Sequence, residues 1–479
     1  MENHSKKKKS TIKTLTKTSN STLFLLLIFV SLLQNSHCAF PKPPPLPILP
    51  LPSASQLNWQ QASMSLFLHF GMNTFTDSEW GSGQEDPSVF NPTQFNATQW
   101  VQVAKDSGFS TVILTAKHHD GFCLWPSDYT NYSVRSSPWE KGNGDVMAEL
   151  AAAAKEAGVG LGIYLSPWDR HEDCYGKTVE YNEFYLGQIT ELLTRWVGDE
   201  AGVAGSTCWS LFNRSNAKIG DTDPKYSQGG DPWGHDWVPA ECDVSIRPGW
   251  FWHASQVPKT ALKLLDIYYK SSGRNCHLLL NVPPNTSGLI SDEDTKVLRE
   301  FSELRRSIFS NNLAKKAILS ASSTRGGNDN SQFNPYNVLE EGIHTYWAPE
   351  EDQSSWVLYL DLHELESFNV LQVQEPIEMG QRVISFHLEI IDDNGKWKKV
   401  IRGTTIGYQR LLQFPTVKSR QLKFVIDESR ADPLISYFGI YIDRFSILGS
   451  ISDTNSHTLY NKSQIYPHIQ HNHSQISTM

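Results

Sequence analysis

Lys117-His118-His119-Asp120-Gly121-Phe122 packs two imidazoles, an ammonium and a carboxylate into one short stretch. Such a dense set of donors and acceptors suits a polyhydroxylated ligand. The stretch follows Phe109-Ser110-Thr111-Val112-Ile113-Leu114-Thr115, an apolar, β-branched run of the kind that forms a buried parallel strand. Two further strand-like runs end in polar clusters. Leu66-Phe67-Leu68-His69-Phe70 is followed by Asn73 and Glu79-Trp80, and Gly160-Leu161-Gly162-Ile163-Tyr164-Leu165 by Ser166-Pro167-Trp168-Asp169-Arg170. His-rich, Trp-bearing strand ends meeting at one mouth would make a carbohydrate subsite, with His69, Glu79, Trp80, His118, His119 and Trp168 lining it. Zinc on His69, His118 and His119 is the rival chemistry. Adjacent residues on an extended chain point to opposite sides, which makes one shared coordination shell awkward, so neither metal nor cofactor is expected.

These groups need a frame that brings successive strand ends together. From about Gln56 to Phe309 strand-like and helix-like runs alternate. The helical runs are Asn96–Ser107, Val146–Ala157, Tyr181–Arg195, Val257–Ser271 and Ser291–Phe309, and His277–Val282 is a later strand. Alternation over this length predicts an α/β, TIM-like (β/α) barrel across residues 56–309. A doubly wound sheet is the alternative, but no glycine-rich phosphate loop accompanies it. Past Phe309 the pattern changes to short alternating strands around Trp356–Leu360, Val383–Ile391 and Gln421–Ile426, with turn signals such as Asp393-Asn394-Gly395. Residues 310–451 therefore read as an all-β sandwich, about 130 residues by strand spacing. The polar tail, 452–479, reads as disordered.

At the other end, Lys6 to Lys9 precede the apolar run Leu23–Val30, and small residues lie before Ala39. Residues 1–38 read as a secretory signal peptide, with a retained anchor as the alternative. Residues 39–55 are rich in proline and read as an extended spacer. Sequons at Asn96, Asn131, Asn213, Asn285, Asn461 and Asn472 agree with secretion of a glycoprotein. The cysteines beyond the signal, Cys123, Cys174, Cys208, Cys242 and Cys276, match no zinc spacing and allow one or two disulfides of undetermined pairing. A net charge of −9 without a long basic run past the leader argues against a nucleic-acid partner. No later apolar run approaches membrane-spanning length, so no membrane association is expected after signal cleavage.

Taken together, Phe67-Leu68-His69-Phe70-Gly71, Lys117–Phe122, Leu165–Arg170, Trp196-Val197-Gly198-Asp199-Glu200-Ala201-Gly202 and Asn281-Val282-Pro283-Pro284 resemble the α-L-fucosidases of glycoside hydrolase family 29. The likeness is strongest to plant-type members that prefer α-1,3 and α-1,4 linkages. It implies fucosylated oligosaccharides or glycoproteins as substrates, and fucose hydroxyls held by His69, Glu79, Trp80, His118 and His119. Glu200 matches the general acid/base of a retaining mechanism, in which an aspartate forms a covalent fucosyl-enzyme. That aspartate sits in a Trp-(Phe or Leu)-Asp-Gly strand end, and no such tetrapeptide occurs here. Glu191–Arg195 runs directly into Trp196, where the resemblance implies about two further barrel strands and a helix, roughly 45 residues from the size of a βα unit. A skipped coding segment explains a junction whose flanks both match. The barrel should then be incomplete, and a non-catalytic fucose-binding protein is the alternative function. Asp199 adjoins Glu200 too closely to serve the opposite face, and Asp221, Asp223, Asp231, Asp236, Glu241 and Asp243 read as loop residues. Trp250-Phe251-Trp252-His253 reads either as an aglycone-side lining or as a packed aromatic cluster. The sandwich resembles discoidin-like, galactose-binding-like modules through Ser320–Ser323 and Gly342–Trp347, which implies a structural part or, in some such modules, sugar binding with calcium.

Overall fold

The computed structural model describes residues 42–193, 207–213, 215, 224–327 and 332–446. The signal peptide, the tail after 452, Asp199, Glu200 and the Arg195–Trp196 junction lie outside the described residues.

Helix α1, Ala54–Ala62, opens with a capping box. Ser53 accepts from the Gln56 N–H, and the Gln56 side chain accepts from the Ser53 N–H. It leads into strand β1, Met64–Leu68, every residue of which is buried. Strand β2, Thr111–Lys117, pairs with β1 in parallel, and strand β3, Gly160–Leu165, pairs with β2. The connections are helices α2, Ala97–Asp106, capped by Asn96, and α3, Val146–Ala157, capped by Asp145. Helix α4, Thr178–Leu193, follows β3. Strands β4, Leu211–Phe212, and β5, Asp236–Trp237, form a small antiparallel pair. Strand β6, Ala240–Ser245, then pairs in parallel with strand β7, Cys276–Asn281, and β7 with β1. Between β6 and β7 lies α5, Ala261–Lys270, and after β7 comes α6, Asp292–Phe309, with Asp292, Glu293 and Asp294 in its first turn to complement the helix dipole.

The sheet order is β3-β2-β1-β7-β6, five parallel strands. Among the described residues β3 and β6 have no outer neighbour, so the barrel is open. β1, β2 and β7 carry the core: Leu66, Leu68, Val112, Leu114, Leu278 and Leu280 are fully buried, each side chain contributing about 1.5–3 kcal/mol of hydrophobic stabilisation. β3 is different, its residues being only half-buried or exposed.

Two strands stand where loop was expected, β5, which takes in Asp236, and β6. The region around Glu241 and Asp243, expected to be loop, is strand β6. Its sequence, Ala-Glu-Cys-Asp-Val-Ser, lacks the continuous apolar run of a doubly covered parallel strand, because it lies at an open edge. Sequence left the cysteine pairing open, and the structure bonds Cys242 on β6 to Cys276 on β7, tying that edge covalently to its neighbour.

The second domain, β8 to β13, is the expected sandwich. Its strands are β8 Ile318–Ala321, β9 Trp356–Gln374, β10 Val383–Ile391, β11 Trp397–Gly403, β12 Arg410–Ser429 and β13 Tyr437–Tyr441. The long β9 and β12 pair along their length across irregularities near Gln413–Val417 and Ser419–Gln421, and their two halves serve two layers. Asn275, in a left-handed conformation, fastens the two domains. Its Oδ1 accepts from Tyr408 N at 2.7 Å, and its Nδ2 donates to Cys208 O at 2.9 Å and Ser210 Oγ at 3.0 Å.

The proline-rich stretch is extended but docked rather than free. Arg325, Arg382 and Arg430 of the sandwich donate to the carbonyls of Pro43, Leu46 and Leu49. The spacing of three matches the three residues per turn of a polyproline II helix, which turns those carbonyls to one side.

Among the described residues no strand pairs with the outer edge of β3, which leaves it less protected than the central strands. Amide exchange followed by mass spectrometry should therefore find peptides over 160–165 exchanging faster than those over 64–68. Equal, strong protection of both would mean that β3 is covered by a further strand.

Candidate functional site

The C-terminal ends of β1, β2, β3 and β7 converge. His69 follows β1 and His118 follows β2, and their ring centroids lie 5.5 Å apart. His119 lies 4.0 Å from His118. The two neighbours therefore do not point oppositely, as an extended chain would require. β2 has ended at Lys117, and the backbone turns through Gly121 (φ +92°), where a Cβ would stand 2.5 Å from an Asp169 oxygen. Trp80 and Trp168 are exposed and 5.4 Å apart, and each lies about 5 Å from the His119 ring. The Arg170 guanidinium stands 5.6 Å from the Trp80 ring.

Glu79 closes the ring of groups from the side of the β6–β7 loop. Its carboxylate accepts from Trp250 N at 2.9 Å and Phe251 N at 3.4 Å, and meets His253 Nε2 at 2.6 Å. His253 Nδ1 is 2.6 Å from Asp77. Gly249 permits this approach, because a Cβ there would meet Glu79 Oε1 at 2.2 Å. The aromatic run thus divides its labour. Trp250 is partly exposed with its ring 5.2 Å from His69, Phe251 is buried against His69 and His118, and His253 holds Glu79.

Beneath the pocket, Lys117 is fully buried. Its Nζ lies 2.8 Å from Asp169 Oδ2, 2.8 Å from Gln188 Oε1 and 3.4 Å from the Tyr181 hydroxyl. Asp169 Oδ1 accepts the backbone N–H of His171 and Glu172. One ion pair so joins β2, the loop after β3 and α4.

Burial favours the neutral imidazole at His69, His118 and His119. Burial lowers His69 to about 3, against the hydrogen bond it donates to Asn281. Burial, then the neighbouring His69 and His119, lowers His118 to about 2, and burial with Arg170 lowers His119. Asp120 is pushed up to about 7 by burial. For His253 the hydrogen bonds to Glu79 and Asp77 outweigh the opposing effect of burial, and its pKa is raised. No cluster of three metal-ligating side chains occurs among the described residues, and none of their helices is long and apolar enough to cross a membrane.

Sequence singled out His69, Glu79, Trp80, His118, His119 and Trp168, and the structure brings all of them to this mouth; Glu200 lies outside the described residues. Missed were Tyr164, whose ring is 6.5 Å from His69 and 6.2 Å from His118, and Asn281, whose Oδ1 lies 2.8 Å from His69 Nδ1. Each is the next-to-last residue of a run already read as a strand, which is the signal that could have marked them.

Residues 51–201 match the family model for alpha-L-fucosidase. The chain is 60% identical to Alpha-L-fucosidase 1 of Arabidopsis thaliana over 495 aligned positions, covering 92% of this chain and 97% of that protein. It is 56% identical to Putative alpha-L-fucosidase 1 of Oryza sativa subsp. japonica, covering 92% and 96%. Among solved structures, a putative alpha-L-fucosidase from Bacteroides thetaiotaomicron superimposes with a TM-score of 0.79 at 32% identity, over 83% of this chain and 99% of that one. A Ruminococcus gnavus fucosidase of glycoside hydrolase family 29, solved in complex with fucose, does so with 0.77 at 30%, over 84% and 96%.

Replacing Lys117 by Met should leave the Asp169 carboxylate buried without its cation, costing about 3–5 kcal/mol. Urea unfolding would read this as a lower midpoint, and a midpoint within error of the native one would deny the pair its role. His253→Gln tests the clamp on Glu79. Because the folded pKa of His253 is raised, its stabilisation is full below about pH 6.5, the unfolded value, and fades as pH climbs through the folded value. The Tm difference between native protein and variant should be largest at acid pH and shrink above neutrality.

Proposed function

The chain belongs to the α-L-fucosidase family, glycoside hydrolase family 29, whose activity is glycosidic release of L-fucose, and on that premise we propose that its pocket binds terminal L-fucose while the chain itself turns over very slowly. The observation that carries the binding half is the convergence of His69, His118 and His119, with Glu79 across from them and Trp80 and Trp168 at the rim. Neutral imidazoles exchange hydrogen bonds with sugar hydroxyls, and exposed indoles offer a face to the C–H side of the pyranose ring or of the next sugar. Fucosylated oligosaccharides or glycoproteins with α-1,3 or α-1,4 linkages are the proposed substrates.

In the retaining scheme Glu200 would protonate the leaving oxygen and later activate water, and an aspartate about 5 Å from it would attack the anomeric carbon. That aspartate is the part we propose to be missing. The alignment to the Arabidopsis relative runs over 495 positions, more than the 479 residues of this chain, so gaps open here. The family match ends at residue 201, beside the junction, and the described sheet is open next to β3. All three observations support a lost segment.

We further propose secretion to the extracellular space, the apoplast in a plant, as a glycoprotein after removal of residues 1–38. The Cys242–Cys276 disulfide suits an oxidising compartment, and the sequon residues Asn96 and Asn131 are exposed.

A chromogenic α-L-fucoside should be hydrolysed several orders of magnitude more slowly than by a complete relative, since covalent catalysis is lost. Azide, a small nucleophile, should restore part of the rate. Inserting the relative's segment between Arg195 and Trp196 should restore most of it. Robust turnover of the unmodified chain, abolished by Asp236→Asn or Asp199→Asn, would identify a substitute nucleophile instead.

A further inference from the structure

We infer that Asn281, Asn73 and Ser166 are positioning residues that fix which ring nitrogen of His69, His118 and His119 carries the proton, so that the pocket offers its ligand one imidazole acceptor and two imidazole donors. The inference rests on the fucose-pocket reading for the identity of the ligand alone.

Asn281 is the clearest case. Its Nδ2 donates to Trp250 O at 2.7 Å and to Ser245 Oγ at 2.8 Å. A backbone carbonyl can only accept, so the amide nitrogen must face Trp250 and the amide oxygen must face His69. Ser245 agrees, since its own hydroxyl donates to Gly249 O at 2.6 Å and leaves its lone pairs for Asn281. Asn281 Oδ1 then accepts from the His69 backbone N–H at 3.3 Å and from the ring Nδ1 at 2.8 Å. His69 is therefore protonated on Nδ1, and its Nε2 is a lone-pair acceptor with no protein partner among the described residues.

His118 is held the other way round. Asn73 Nδ2 faces the carbonyl of Glu79 at 3.4 Å, which can only accept and so fixes the amide, and lies 3.3 Å from an Asp120 oxygen. The same nitrogen lies 3.3 Å from His118 Nδ1, which accepts, so the proton of His118 sits on Nε2. At His119, Ser166 Oγ accepts from Trp168 N at 3.0 Å and lies 2.7 Å from Nδ1. Nδ1 is the one acceptor within reach of that hydroxyl among the described residues, so Ser166 donates and His119 also carries its proton on Nε2. Because burial keeps these rings neutral, each has one proton to place, and its partner decides where.

The consequence is a polarity code. One sugar hydroxyl must donate into His69, and oxygens must accept from His118 and His119. A group that can only accept would lose the contact with His69.

Long-range nitrogen–proton NMR of the histidines in the full chain reads ring tautomers directly. Nδ1–H on His69 and Nε2–H on His118 and His119 are expected, with a population of Nε2–H appearing on His69 in Asn281→Ala. Asn281→Asp, which keeps an oxygen toward His69, should retain Nδ1–H even though it loosens the contact to Trp250. Titration with L-fucose should show affinity falling about tenfold in the alanine variant, the worth of one neutral hydrogen bond. Nε2–H on His69 in the native chain, or an unchanged His69 in Asn281→Ala, overturns the inference. The stated tautomers together with no fucose binding would uphold the positioning while removing the fucose reading.

Discussion

A lysine ammonium and an aspartate carboxylate, both out of contact with water, sit directly under the pocket, and the arrangement of the mouth depends on them. Lys117 is the last residue of β2, so wherever its ammonium is pinned, His118 and His119 leave the strand from a fixed point. Asp169 is one residue past Trp168 and one before Arg170, so the same contact sets the loop that carries the rim tryptophan. Burying two charges is costly unless every lone pair and proton is used. Here Gln188, Tyr181 and two backbone N–H groups use them. Because Tyr181 and Gln188 come from α4, the pair also holds the last helix described before the junction.

The pocket is built from one arc of the described sheet. His69, the His118–His119 pair and Asn281 stand at the ends of three adjacent strands, and Glu79 and Trp250 are tied to them through backbone N–H groups and the Asn281 amide. Among the described residues the opening lies on the far side, between β3 and β6. Under the proposed function, recognition belongs to this arc and bond cleavage to another part of the ring of strands, so that an arc keeps the first without the second.

The strands at the centre of the sheet were legible because both faces are covered. Leu66–Leu68, Val112–Leu114 and Leu278–Leu280 form unbroken apolar runs. β6 was not, since an edge strand with Glu241 and Asp243 has no such run to display. Helix α5 begins at Ala261 rather than near Val257, because Thr260 caps it and Pro258 precedes it. Of the site, the clustered residues were visible as clusters, whereas Asn281 and Tyr164 were single residues inside strand runs, and only the fold sets them beside the histidines. The shared orientation of His118 and His119 depends on a turn at Gly121, which strand periodicity does not anticipate. The docking of the proline-rich strap required knowing that three arginines, distant in sequence, meet its carbonyls.

That strap is held through its main chain, by carbonyls three residues apart. Side-chain identity is therefore nearly free at those positions, and point substitutions that keep the chain extended should drift neutrally in evolution. Length is not free. Inserting or deleting one residue rotates the next carbonyl by about a third of a turn and breaks the match to every arginine beyond it, whereas a change of three preserves the phase. The strap behaves as a reading frame written in backbone geometry, tolerant of spelling but not of frameshifts.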